Sequence, residues 1–146
     1  MDERCGDDLW ILFTGPEDAV DKSGGVSVNG KFFSLPEDKQ KRIINAGFQV
    51  FSQNSYRKSP VSEIAAQAGI SKSLLFHYFR NKKELYLFLW EEAARITTEY
   101  LREYGCYESD SLFEMLCRGT KAKMQMMRSY PDIAFFAIKA YYEKDE

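Results

Sequence analysis

Residues 61–79 read "VSEIAAQAGISKSLLFHYF". Val61, Ile64, Ala65 and Ala68 recur at helical spacing, which gives a short first helix one apolar side. Gly69 follows at a helix end, where a positive φ is wanted and glycine meets no Cβ clash. Ser71 then caps a second short helix over 72–79. Two short helices joined by a glycine-bearing turn make a helix-turn-helix unit. The alanines of the first helix let its partner approach closely.

A helical wheel at about 100° per residue divides the second helix. Leu75 and Phe79 fall together, one turn apart, and belong to the core. Ser73, Leu74 and His77 fall on the opposite side. Phe76 and Tyr78 flank that outward side, and Lys72 lies nearer the core edge. Such a face suits the DNA major groove, where N-terminal residues of a helix reach base edges. Lys72 can donate to guanine acceptors or phosphate, Ser73 can donate or accept, and Leu74 can meet a thymine methyl. His77 and the Tyr78 hydroxyl can donate to phosphates, fixing register without reading sequence.

Charge supports the same face. Residues 1–35 hold 3 basic and 7 acidic groups, residues 36–89 hold 9 and 4, and residues 90–146 hold 8 and 11. The overall charge of −2 therefore conceals a basic block between two acidic ones, the pattern of a local polyanion-binding surface. Arg57, Lys58, Arg80, Lys82 and Lys83 bracket the motif as its electrostatic footprint. Lys82 and Lys83 also sit at a helix N-terminus, whose free N–H groups favour a phosphate.

The rest of the chain is helical in pattern from residue 35. Pro36, Glu37 and Asp38 suit a helix start. Ile44, Gly47, Phe48 and Phe51 carry the core stripe of the helix that follows. Ser59 is placed to cap the helix beginning near Pro60. Asn81 and Glu84 form a capping-box-like start to a long helix reaching about Tyr104, with Leu85, Phe88, Leu89, Ala93, Ile96 and Tyr100 as its stripe. Asp110 caps a fifth helix to about Arg128, with Leu112, Met115, Leu116, Gly119 and Met127 facing inward. A sixth helix carries "DIAFFAIKAYY" to near the end. Residues 1–35 read instead as a leader, flexible or with a weak hairpin around Asn29-Gly30. The organisation is thus a leader over 1–35, a helix-turn-helix domain over 36–80 and a partial helical domain over 81–146.

Several classes are disfavoured. Cys5, Cys106 and Cys117 are odd in number and fit neither a metal site nor a disulfide framework, which suggests a reducing, cytoplasmic setting. No apolar run approaches ~20 residues, so no membrane span is expected, and the acidic start does not resemble a signal peptide. His77 has no acidic or cysteine partner at ligand spacing, and no nucleophile–base pair or phosphate-binding glycine loop is present. No enzyme, metal or cofactor is expected. Met115, Met124, Met126 and Met127 suit ordinary core packing or an adaptable pocket. The run "AFFAIKAYY" adds a third possibility, an interface.

Residues 43–86, "IINAGFQVFSQNSYRKSPVSEIAAQAGISKSLLFHYFRNKKELY", closely resemble the DNA-binding region of the TetR family of transcriptional regulators. The resemblance covers roughly a third of the chain. It implies an all-α homodimer in which a three-helix domain reads one half of a palindromic operator in double-stranded DNA. A C-terminal helical domain would bind a small-molecule effector and dimerise, and effector binding would release the operator, making the protein a repressor. By the resemblance, Lys72 and Ser73 match positions that contact bases or phosphates. His77 and Tyr78 match phosphate-contacting positions, Lys83 meets the backbone, and Ser59 and Ser62 approach phosphate from the preceding helix. Leu74 and Phe76 depart from the family's usual residues and are the places where this chain would read its operator differently. The family continues through further helices, including the pair that builds the dimer's four-helix bundle. A chain stopping at Glu146 would hold only part of that domain. The alternative is a truncated regulator acting as a protein-interaction module without operator binding.

Overall fold

The computed structural model describes Val28 and residues 30–143, and within them the fold is all-α. Its helices are α1 (Gly30–Phe33), α2 (Glu37–Gln53), α3 (Val61–Ala68), α4 (Lys72–Tyr78), α5 (Lys82–Glu103), α6 (Leu112–Ser129) and α7 (Ile133–Tyr142), with a 3-10 turn at Cys106–Glu108. The expected helices are all present.

α2 is the hub. Glu37 and Asp38 occupy its first turn, where carboxylates meet the positive end of the helix dipole. Its buried stripe includes Ile44, Gly47, Phe48 and Phe51, and it packs against α3, α5 and α7. The turn between α3 and α4 follows the expected chemistry. Gly69 adopts φ 70° and ψ 32°. Its N–H reaches Ala66 O at 3.1 Å while Ile70 N–H reaches Ala65 O at 3.0 Å, the double closure that ends a helix at a left-handed residue. Ser71 Oγ accepts from Leu74 N–H at 3.1 Å and so caps α4. Asn81 Oδ1 accepts from Glu84 N–H at 2.9 Å and caps α5 in the same way.

The segment before α2 differs from expectation where it is described. Gly30–Phe33 is one helical turn, not the second arm of a hairpin. The reason is Phe32, which is fully buried. Its ring lies 5.1 Å from that of Phe79, 5.2 Å from Phe88 and 6.0 Å from Tyr78. Burying one such ring stabilises the fold by about 2 kcal/mol, more than a marginal two-stranded ribbon offers. Val28 forms an isolated antiparallel bridge with Phe79. The remainder of the leader lies outside the described residues.

α5 buries Leu85, Phe88, Leu89, Ala93 and Ile96, as its stripe requires. α7 is fastened beneath α2. The Phe136 ring lies 5.1 Å from that of Phe48, Lys139 Nζ donates to Ser52 O at 3.3 Å, and Glu143 accepts from Tyr86 Oη–H at 3.1 Å and from Tyr56 N–H. α6 departs from expectation. Its cap is Ser111 rather than Asp110, and its buried residues are Ala122 and Met126. Leu112, Met115, Leu116 and Met127, assigned inward by periodicity, are exposed, Leu112 to 69%. α6 touches α5 and the 3-10 turn along one narrow line, and its apolar side faces away from them. No helix is long and apolar enough to cross a membrane among the described residues.

Candidate nucleic-acid interface

α4 presents one face to its neighbours and one to solvent. Leu75 and Phe79 are buried, as the wheel required. Lys72, Ser73, Leu74, Phe76 and His77 are exposed together on the outer side, Leu74 and Phe76 each to 37%. Lys72 Nζ lies 5.8 Å from the centroid of the Phe76 ring, an arrangement in which the ring attracts the cation and holds the long side chain near the helix. Phe76 therefore positions a charge, although it has no hydroxyl of its own. Ser62 is exposed on α3 and Lys83 on the first turn of α5.

Two expected contacts are placed differently. Ser59 is only 1% exposed, and its hydroxyl donates to Ser55 O at 2.9 Å. It therefore ties down the turn before α3 and does not reach a phosphate. Nor does it cap α3, whose N-terminus follows Pro60 without any side-chain cap. Tyr78 is 7% exposed and its ring packs on Phe32, so it belongs to the core edge and not to the outward flank. The wheel could not register this, because the burying ring arrives from outside the motif. The Tyr78 hydroxyl has no hydrogen bond within the described chain and is not among the fully buried orphan atoms, so its oxygen touches solvent beside α4.

Cations surround this face. Arg57, Lys58 and Arg80 are exposed near the two ends of the motif. Lys82 is more constrained. Its Nζ donates to Arg57 O at 3.3 Å and lies 4.8 Å from the Tyr56 ring centroid. Partial burial pulls its ammonium below the ordinary lysine value, opposed by the nearby Glu143 carboxylate. Lys82 thus braces the turn before α3, and the exposed Lys83 is the better placed of the pair to meet a phosphate. No group of three or more metal-ligating side chains occurs among the described residues.

Fold and surface together define an all-α helix-turn-helix protein. Residues 43–88 match the family described as "Bacterial regulatory proteins, tetR family". The chain carries the N-terminal domain of the TetR family. It is 41% identical over 70 residues to the fatty acid metabolism regulator protein of Bacillus subtilis, covering 44% of this chain and 36% of that one. It is 28% identical over 108 residues to the HTH-type transcriptional regulator RutR of Escherichia coli K12, covering 74% of this chain and 50% of that one. Its structure resembles that of a TetR family transcriptional regulator from Chloroflexus aurantiacus with a TM-score of 0.64 and 30% identity, over 82% of this chain and 55% of that chain. The chain spans half or less of the length of the two curated relatives.

Proposed function

We propose that this chain is the DNA-reading part of a ligand-responsive transcriptional repressor, which binds a palindromic operator as a dimer with α4 in the major groove. The observation that carries this reading is the division of α4. Leu75, Tyr78 and Phe79 hold the helix down while Lys72, Ser73, Leu74, Phe76 and His77 stand clear, with Lys83 and Arg80 beside them. Exposed apolar and hydrogen-bonding groups inside a ring of cations match base edges inside a ring of phosphates. Relatives named as regulators support the same assignment.

The test is binding to the DNA upstream of the chain's own gene, followed by fluorescence anisotropy against a mixed-sequence duplex at two salt concentrations. Tighter binding to the upstream duplex, weakening as salt rises, is the expected result. No binding to either duplex at low salt would sink the reading.

One observation favours a second role, as a protein-interaction module. α6 and α7 expose Leu112, Phe113, Leu116, Phe135 and Ile138, more apolar bulk than a lone surface residue would explain. Association without any DNA affinity would favour that reading.

A further inference from the structure

A cleft of about 380 Å³ opens beside α4, between the start of α2 and the α3–α4 turn. Its floor is apolar, formed by Ile43, Ala68, Leu74 and Tyr78. Its rim carries Lys39 and Arg42, and no acidic side chain lines it. Arg42 also pairs with Asp38 at 3.4 Å, but both partners are well exposed, so the pair holds the guanidinium weakly. A cleft with this lining accepts an apolar group bearing negative charge.

The chain carries such a group. Residues 7–13 read "DDLWILF": two carboxylates followed by five apolar side chains, the longest apolar run before α1. The chain also enters the fold at the cleft. Leu35 lines it, Phe32 packs on Tyr78 of its floor, and Val28 bridges to Phe79 next door. Residues 14–27 span roughly 45 Å when extended, enough for residues 7–13 to reach back from Val28.

We propose that residues 7–13 of the same chain occupy this cleft, with Leu9, Trp10 and Leu12 against its floor and Asp7 and Asp8 toward Lys39 and Arg42. Leu74, Ser71 and Tyr78 belong both to the cleft and to the candidate DNA face. The docked segment and a DNA duplex therefore compete, and the acidic leader restrains the domain that follows it. The competition rests on the DNA-binding reading, but the docking does not.

The test reads Trp10 in the full chain, as the difference in emission between the unaltered protein and Trp10→Phe, which leaves Trp90 untouched. A docked Trp10 emits to the blue of a free tryptophan and is protected from acrylamide. The double substitution Lys39→Glu with Arg42→Glu, at two surface positions, is expected to move the emission to the red and remove the protection with helix content unchanged. Red, freely quenched Trp10 emission in the unaltered chain overturns the proposal. So does a blue emission that the double substitution leaves in place, or one that disappears on dilution, which would assign the cleft to a second copy's leader. A mixed-sequence duplex is then added. Release of Trp10 as the duplex binds supports competition. Binding with Trp10 still protected overturns competition alone, and absence of duplex binding counts against the DNA-binding reading while leaving docking intact.

Discussion

Gly47 on α2 and Leu89 on α5 meet so closely that a Cβ built at Gly47 would lie 2.5 Å from Leu89 Cδ1. The absent side chain thus sets the separation between the hub helix and the helix that leads into the C-terminal part. Leu89 is fully buried and cannot swing into solvent to make room. Gly47→Ala is expected to destabilise the fold by about 1–3 kcal/mol, the usual range for overpacking a filled core. Pairing it with Leu89→Ala should cost less than the two single changes added together, and denaturant unfolding of all three variants measures this. Strict additivity would show that the two sites do not share the space.

Phe32→Ala removes a fully buried ring from a cluster of three others. A loss of about 3–5 kcal/mol is expected in chemical unfolding, with Phe32→Leu losing less. A loss below about 1 kcal/mol, within the scatter of ordinary surface changes, would mean that α1 does not contribute to the folded body in solution.

Lys72 and Lys83 should respond differently to removal of charge. Lys83→Ala is expected to weaken binding to all duplexes alike and to reduce the salt slope by about 1, as loss of one phosphate contact does. Lys72→Ala should weaken binding and relax base preference, since Lys72 stands on the outer face of α4. Anisotropy titrations across salt concentrations separate the two. An unchanged salt slope for Lys83→Ala would remove it from the backbone contacts.

The outer side of α6 and α7 should make the chain self-associate. Phe113 is 77% exposed and Leu116 58%. Sedimentation velocity is expected to show mass rising with concentration, and Leu116→Glu to shift the distribution toward the monomer. A protein that stays monomeric throughout would count against association through this side.

Acid should loosen the first turn of α6. Glu114 accepts from Arg118 Nη2 at 2.5 Å and from Ser109 Oγ at 3.2 Å. These bonds, the Arg118 one foremost, hold its carboxyl below the ordinary glutamate value. A carboxyl with a depressed folded value adds stability above its unfolded value and loses it as pH falls through the folded one. Carbon-13 titration of the carboxyl should show the depression, and Arg118→Gln should abolish most of it. An ordinary value in the unaltered chain would mean that the bonds are not held in solution.

The readable parts of this molecule are those whose chemistry is local. Gly69, Ser71 and Asn81 each meet a need of the backbone within four residues, so residue type and spacing sufficed to place the turn and both caps. The outer face of α4 was legible for the same reason, because a helix of known start has a known wheel. Tyr78 was misplaced because its burial depends on Phe32, which lies far upstream in a segment with no helical period. Ser59 has the residue type of a cap, yet the turn before it offered its hydroxyl a nearer carbonyl at Ser55. α6 failed for a different reason. Periodicity identifies which side chains gain from leaving water, but burial requires a surface to meet them, and the described residues supply one only at Ala122 and Met126.

The position of Phe32 also bears on how far the reading helix can be treated as a module. Its ring is shared by Tyr78 and Phe79 at the end of α4 and by Phe88 on α5. A segment cut at residue 36, where the helical pattern begins, would carry every residue of the outward face and still leave those three rings around a hole. A graft of residues 36–80 onto another regulator would therefore transfer the lettering of the interface without the wedge that keeps it level. The smallest transplantable reader begins upstream of α1, at a residue that touches no base.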